Sequence, residues 1–298
     1  MRSFPGFGAI VSVVCAAFGA GAGCGAGGSG GRTIAEAPAS LGPPTALPAV
    51  GGVFLPGEEM RFELSLRGIL GGEAVVAVGQ PGKMDGKRVV IVSSRVESAG
   101  VVAMFRRVRD EVNTHVHLDT GLPVRHQAHV IFGEKESYIA TNFAGGANGA
   151  FDVELRGKNP AGQEMQRTLR QAMPDDQAAF DPHTVVGALR AWEPEDGQHA
   201  YFFVLVGRHL WQNTVRLTGR EKLRTRLGQF DALRIDGVAQ RLTRGLREDR
   251  RKPQRTYTVW ISADEARLPL LVLGKTEFGD VKAELVDYRA PAALSAAR

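Results

Sequence analysis

From Glu58 onward, apolar and polar residues alternate with a period of two. In MRFELSL, Met60, Phe62, Leu64 and Leu66 share one parity, and Arg61, Glu63, Ser65 and Arg67 the other. The segments EAVVAV, RVVIVSSRV, EVNTHVHL, AFDVEL, AYFFVLVG, DALRIDGVA, RTYTVWI, LPLLVLG and VKAELVDY alternate in the same way or run continuously apolar. Successive side chains of a strand point to opposite faces, so this period predicts half-buried β-strands. Turn residues separate them at Gly71-Gly72, Asp85-Gly86, Asp119-Thr120-Gly121, Gly145-Gly146, Gly228 and Gly279-Asp280. About 10 to 12 strands with hairpin-length connections predict an all-β fold, built as an antiparallel, meandering, curved sheet.

One segment departs from that period. In FDPHTVVGALRAWEPEDG, Asp181 is suited to an N-cap and Pro182 to the first helical position. Val185, Val186, Leu189 and Trp192 then fall on one helical face, and Glu193-Pro194 ends the run. A short helix with an apolar face among strands is expected to pack against the concave side of the sheet.

The chain before Glu58 has a different character. Phe7 to Phe18 is an apolar run broken only by Ser12, preceded by Arg2 as the single charge. That is shorter than the roughly 20 residues a membrane-spanning helix needs, and it matches the apolar middle of an export signal. No helical period follows the glycines of residues 15–31, so they do not form a dinucleotide loop. Two processing sites remain open. Gly21-Ala22-Gly23-Cys24 resembles the lipobox of bacterial lipoproteins, although Gly21 stands where the family prefers Leu. Alternatively, Ala20-Gly21-Ala22 offers an ordinary A-x-A cleavage site. The lipobox resemblance implies acylation of Cys24, palmitate included. Gly25 in place of Asp then implies the outer membrane, facing the periplasm, rather than retention at the inner one. Simple cleavage would leave a soluble periplasmic or secreted protein. The expected organisation is a signal over 1–23, a Gly/Pro-rich tether over 24–54, a β domain over 55–290 and a disordered tail over 291–298.

Charge excludes little. The net charge is +5, and +4 once residues 1–23 are removed. Its main concentration is RLTRGLREDRRKPQR, residues 241–255, with seven basic residues against Glu248 and Asp249. This reads either as a solvated loop or as a contact for anionic lipid or polysaccharide. No aromatic residues interleave for base stacking, so a nucleic-acid partner is not expected. His115, His117, His126 and His129 crowd one hairpin, but His115 and His117 sit on the polar parity while His126 points inward. No metal site, and no cofactor, is expected from them. Gly274-Lys275-Thr276 lacks the upstream glycine of a P-loop, which is Pro269 here, and there is no G-x-S-x-G elbow. The carboxylate pairs Asp175-Asp176 and Glu193/Glu195 read as surface charge, and no catalytic residues are expected.

The order of landmarks resembles the domain-of-unknown-function family 3108. The carriers are LPGEEMRFELSLRGILGGEAVVAV, LDTGLPVRH, FDPHTVVGALRAW, LGQFDALRID and TVWISADEARLPLLV, spread from Leu55 to Tyr288. Leu66 stands where that family usually has an aromatic residue, and the 241–255 loop is unusually basic. The resemblance implies an envelope protein with no assigned reaction. It also implies an architecture similar to the half-barrel lipoprotein carriers LolA and LolB, whose curved sheet covers an apolar cavity closed by helices.

Two functions remain open. In the first, Phe62, Leu64, Val76, Ile91, Phe132, Phe151, Phe203, Leu205, Ile235 and Trp260 line a concave apolar face, with Leu189 and Trp192 of the helix capping it. Such a cavity would take a lipid or acyl chain, driven by burial at roughly 0.8 kcal/mol per methylene. In the second, the same residues fill a solid core and the protein is a structural or assembly scaffold without a small ligand. If Cys24 carries the anchor, Cys24→Ser moves the protein from the membrane to the soluble periplasmic fraction. A variant that still sediments with membranes contradicts the lipobox reading.

Overall fold

The computed structural model describes residues 44–105, 107–143, 150–158, 162–174, 177–276 and 279–291. Cys24, the segment before it, most of the expected tether, the Gly145-Gly146 turn, the Asp175-Asp176 pair and the tail beyond residue 291 lie outside the described residues.

Among the described residues, seventeen strands form one sheet. In chain order they are β1 (Thr45–Ala46), β2 (Glu59–Leu66), β3 (Ile69–Val78), β4 (Gly82–Met84), β5 (Lys87–Ser98), β6 (Val108–His117), β7 (Pro123–Phe132), β8 (Lys135–Asn142) and β9 (Phe151–Lys158). They continue with β10 (Glu164–Gln171), β11 (Ala179–Phe180), β12 (His199–Val206), β13 (His209–Thr225), β14 (Gly228–Arg241), β15 (Arg255–Ser262), β16 (Pro269–Thr276) and β17 (Gly279–Arg289). Among the described residues two helices interrupt them, α1 (Gly100–Phe105) and α2 (Pro182–Ala191). The count exceeds the expected strands partly because β1, β4 and β11 are only two or three residues long.

The topology is two antiparallel meanders. One runs from β2 to β10 and the other from β12 to β17, and β17 returns to pair with β2. The pairing of Glu63 with Glu284 and of Phe62 with Leu285 fixes the register along this seam. Alternation does what the pattern predicts: Met60, Phe62 and Leu64 are buried while Arg61 is exposed. One turn differs from expectation. Arg67 and Gly68 make the β2–β3 turn, with φ of 51° and 81°. Gly71 and Gly72 lie inside β3 opposite a register shift, where a Cβ on Gly72 would meet the Glu97 carbonyl oxygen at 2.4 Å. Close backbone approach, not reversal of direction, is what requires that glycine.

The sheet curves until its two ends overlap. Phe202, Val204 and Val206 of β12 face the main core, while Phe203 and Leu205 of the same strand face Phe151 and Val153 of β9 and Leu169 of β10. Strand β12 is thus covered on both sides, which explains its continuous apolar run. Its outer edge is covered in part by β1 and β11, both parallel to it.

Helix α2 fills the concave side. Asp181 caps it as read from the sequence, in a reciprocal capping box with Thr184. Its buried residues include Pro182, His183, Thr184, Val185, Gly187, Ala188, Leu189 and Arg190, so burial extends well beyond one face. Gly187 lets it approach the loop before β2, because a Cβ there would come within 2.7 Å of the Phe54 ring. At its C-terminal end, the Arg190 guanidinium donates two parallel hydrogen bonds of 2.8 Å to the Glu58 carboxylate. A third goes to the Ala266 carbonyl at 3.1 Å, and Tyr288 Oη donates to Glu58 at 3.2 Å. Arg267 donates to the carbonyls of Arg190 and Trp192, the orphan acceptors of the last turn. Removing one partner of a buried ion pair strands the other. Arg190→Met is expected to destabilise the domain by about 3–5 kcal/mol in denaturant titration, and adding Glu58→Leu to restore most of the loss. A double variant no more stable than the single one would contradict this.

Candidate functional site

A buried polar cluster joins the N-terminus of α2 to the sheet. It is built from the inward rows of β5, β6 and β7: Ser94, Thr114 and His126, with Asp181 and His183 of the helix. Asp181 Oδ1 accepts from the Thr184 amide at 2.9 Å and the Thr184 hydroxyl at 2.8 Å. Its Oδ2 accepts from His126 Nδ1 at 2.7 Å and from the Thr114 hydroxyl. The Thr114 proton being committed to Asp181, His183 Nδ1 donates to Thr114 Oγ1 at 2.9 Å, and Ser94 Oγ donates to His183 Nε2 at 2.9 Å.

The electrostatics agree with a neutral His183 ring. Burial pushes the His183 pKa down to about 4, with the charge of Asp181 opposing and that of His126 adding, so the ring is neutral at physiological pH. Burial alone would raise Asp181, but the hydrogen bond and charge of His126, the charge of His183 and the Thr114 hydroxyl hold it well below the usual carboxylate range. Chemically this is a serine–histidine–threonine–aspartate relay. A nucleophile also needs room for a substrate. Ser94 lines none of the three hollows described next.

The first hollow is interior, apolar and small, about 40 Å³ between α2 and the sheet, bounded by Phe54, Met60, Phe62, Val76, Val186 and Leu189 among others. Ligand pockets run to roughly 300–1,000 Å³, and this volume is close to that of one water. The second, about 530 Å³, lies over β13 to β16, with Arg216, Arg234 and Asp236 in its wall. The third, about 870 Å³, lies over the outer faces of β6 to β10.

The residues read as a cavity lining are divided among several places. Phe62, Leu64, Leu189 and Trp192 are in the main core, with Val76 and Phe132 packed against it. Phe151, Phe203 and Leu205 form the second cluster, where the sheet ends overlap. Ile235 is fully buried in the main core, whereas Ile91 is 39% exposed, because its neighbours Val90 and Val92 take the inward parity of β5. Trp260 is 8% exposed and belongs to the main core as well, although it pairs across the sheet with Arg234 and not in the row of Val259 and Ile235. Its Nε1 donates to Glu221 at 2.5 Å, and the Arg234 guanidinium lies 5.7 Å from its ring.

His126 points inward, as its parity indicates, and His115 and His117 lie in the outward row. Among the described residues no group of three or more His, Cys, Asp or Glu is placed to hold a metal. In the 241–255 loop, Asp249 is buried and ion-paired to both Arg241 and Arg251, while Arg244, Arg247 and Arg250 are exposed. The relay itself escaped sequence reading. His126 and Asp181 each carried a signal, inward parity and N-cap, but 55 residues separate them.

The fold and these surfaces define a class: β-barrel-like proteins in which one curved, mainly antiparallel sheet wraps a short helix. The family model described as "Protein of unknown function (DUF3108)" matches residues 61–286, and the chain belongs to that family. No curated protein matches it significantly in sequence. A β-barrel-like protein of the domain of unknown function DUF1849 from Brucella abortus shares the fold, with TM-score 0.50 at 12% identity, covering 80% of this chain and 100% of its own. Weaker likenesses are to a proposed exported protein with a YmcC-like fold from Bacteroides fragilis and a proposed lipoprotein from Parabacteroides distasonis. Their TM-scores are 0.34 and 0.32, at 10% and 9% identity, covering 81% and 83% of this chain and 100% of each of theirs. Among the described residues no helix is long and apolar enough to cross a membrane.

Beside the relay, Asp110 of β6 is 8% exposed and its Oδ1 has no partner. Burial raises its pKa to about 7, with His126 and His129 opposing and Glu111 adding. The unfolded chain loses this proton near pH 4 and the folded one near pH 7, so Asp110 subtracts stability progressively across that window. Asp110→Asn is therefore expected to match wild type near pH 4 and to exceed it at pH 8 by on the order of 1–3 kcal/mol. An offset independent of pH in denaturant titrations would contradict this.

Proposed function

We propose that this chain is a non-enzymatic envelope protein, anchored through a lipidated Cys24, that acts as a structural or assembly scaffold and recognises its partners with the outside of the sheet. The observation that carries this reading is the size of the apolar hollow between α2 and the sheet, about 40 Å³. A half-barrel carrier needs a standing cavity for its acyl chain. Here that space is taken by α2, which is fastened by the Asp181 cluster at one end and by the Glu58–Arg190 pair at the other. Two buried polar fastenings make the helix costly to remove. They support a permanent part of the core over a lid.

The exposed arginines of the 241–255 loop fit the same reading. Arg244, Arg247 and Arg250 stand free of the Asp249 pairing that shapes the loop, and give it a cationic surface suited to anionic lipid headgroups or acidic polysaccharide.

Native mass spectrometry of the unacylated Cys24→Ser protein, purified without detergent, separates the scaffold from the lipid-binding alternative. The scaffold reading expects the bare polypeptide mass. Stoichiometric lipid would overturn it and establish the carrier.

A further inference from the structure

We propose that the outer groove over β6 to β10 is a binding site for an oligosaccharide of zero or mixed net charge. The inference rests on the reading that recognition falls to the outside of the sheet, and it names the chemistry of one such surface. The groove encloses about 870 Å³, within the range of ligand sites. Its floor is a cross-strand rung: Glu111, His129, Tyr138, Arg156 and Gln166 follow one another in register across five strands. The next rung carries Asn113, Gln127, Ala140 and Glu154.

Three properties select the ligand class. The first is a fixed aromatic platform. The His129 and Tyr138 rings stack at 4.2 Å with an interplanar angle of 7°, and Tyr138 remains 47% exposed. Both rings are held by one carboxylate: Tyr138 Oη donates to Glu136 at 2.8 Å, and His129 Nε2 to the same oxygen at 2.7 Å. A ring held in place before binding loses little entropy when a sugar face stacks on it.

The second is a supply of planar hydrogen-bonding groups suited to vicinal hydroxyls. Gln127 and Gln166 are exposed and their amides have no hydrogen-bond partner among the described residues, while Asn113 already accepts from Ser93 Oγ at 2.6 Å. The third is charge. Glu111, Glu136, Glu154 and Glu164 face Arg125, Arg156 and Lys158. The Arg109 hydrogen bond holds Glu111 below its ordinary pKa, and the Tyr138 hydrogen bond does the same for Glu136, so both are ionised at neutral pH. Such a wall repels a polyanion, and its polar rungs give a lipid tail no continuous apolar surface. Depth comes from Ala140, the small residue of the second rung.

The test is a glycan array carrying neutral, zwitterionic and acidic saccharides, probed with the full chain and followed by NMR titration of any hit. The expected result is a neutral or zwitterionic hit whose titration shifts the Tyr138 and His129 ring signals. It should weaken at least tenfold in Tyr138→Ala and in Gln127→Ala, and stay unchanged in Arg244→Ala. Tyr138 and Gln127 are exposed, and thermal melts verify that these variants fold. An array that is blank, that yields acidic hits only, or whose hits survive both groove substitutions overturns the proposal. Any of these results leaves the bare polypeptide mass expected of the scaffold untouched, so the two readings fail separately.

Discussion

Helix α2 carries a guanidinium and a carboxylate into the interior of a strand-built shell, and both are matched there. Arg190 meets Glu58 with two hydrogen bonds at one end of the helix, and Asp181 accepts four at the other. Each of these groups would be costly to bury alone. Together they set the helix at one depth and one rotation, and the shell's curvature is filled around it. The small size of the apolar hollow between the helix and the sheet follows from that placement.

The shell supplies the matching groups from distant parts of the chain. Glu58 precedes β2, Tyr288 ends β17, and Thr114 and His126 lie on β6 and β7. The helix is therefore bound to both meanders. That arrangement couples the seam between β2 and β17 to the overlap of the sheet's ends, since α2 lies in the chain between β10 and β12. Loss of either fastening is felt across the domain rather than in one hairpin.

Much of this was legible in the amino-acid order. Period-two alternation located the long strands because one face of each is buried, and the Asp181-Pro182 start of the helix follows from capping chemistry. Parity assigned His126 inward correctly and failed at Ile91, where the continuous run RVVIV hides which positions take the inward side. Trp260 stands in the row opposite Val259 and Ile261 and is still buried with the main core, so parity alone does not give its surroundings. The hollow itself could not be read, because a row of inward apolar side chains looks the same whether it faces a ligand, a helix or another strand. Phe203 and Leu205 illustrate this, being covered by β9 and β10 of their own sheet. The groove of Glu111, His129, Tyr138, Arg156 and Gln166 is equally invisible in sequence, since it exists only through cross-strand register.

The central claim is that α2 is part of the folded core. Amide hydrogen exchange under native conditions tests it most directly, because a plug that opens locally exchanges through that opening and a core element exchanges through global unfolding. The account predicts that the amides of Val185 to Ala191 are protected to the same extent as those of β12 and β14 around them. Protection of the helix lower than that of those strands by about a hundredfold or more, some 3 kcal/mol of local opening, would contradict it.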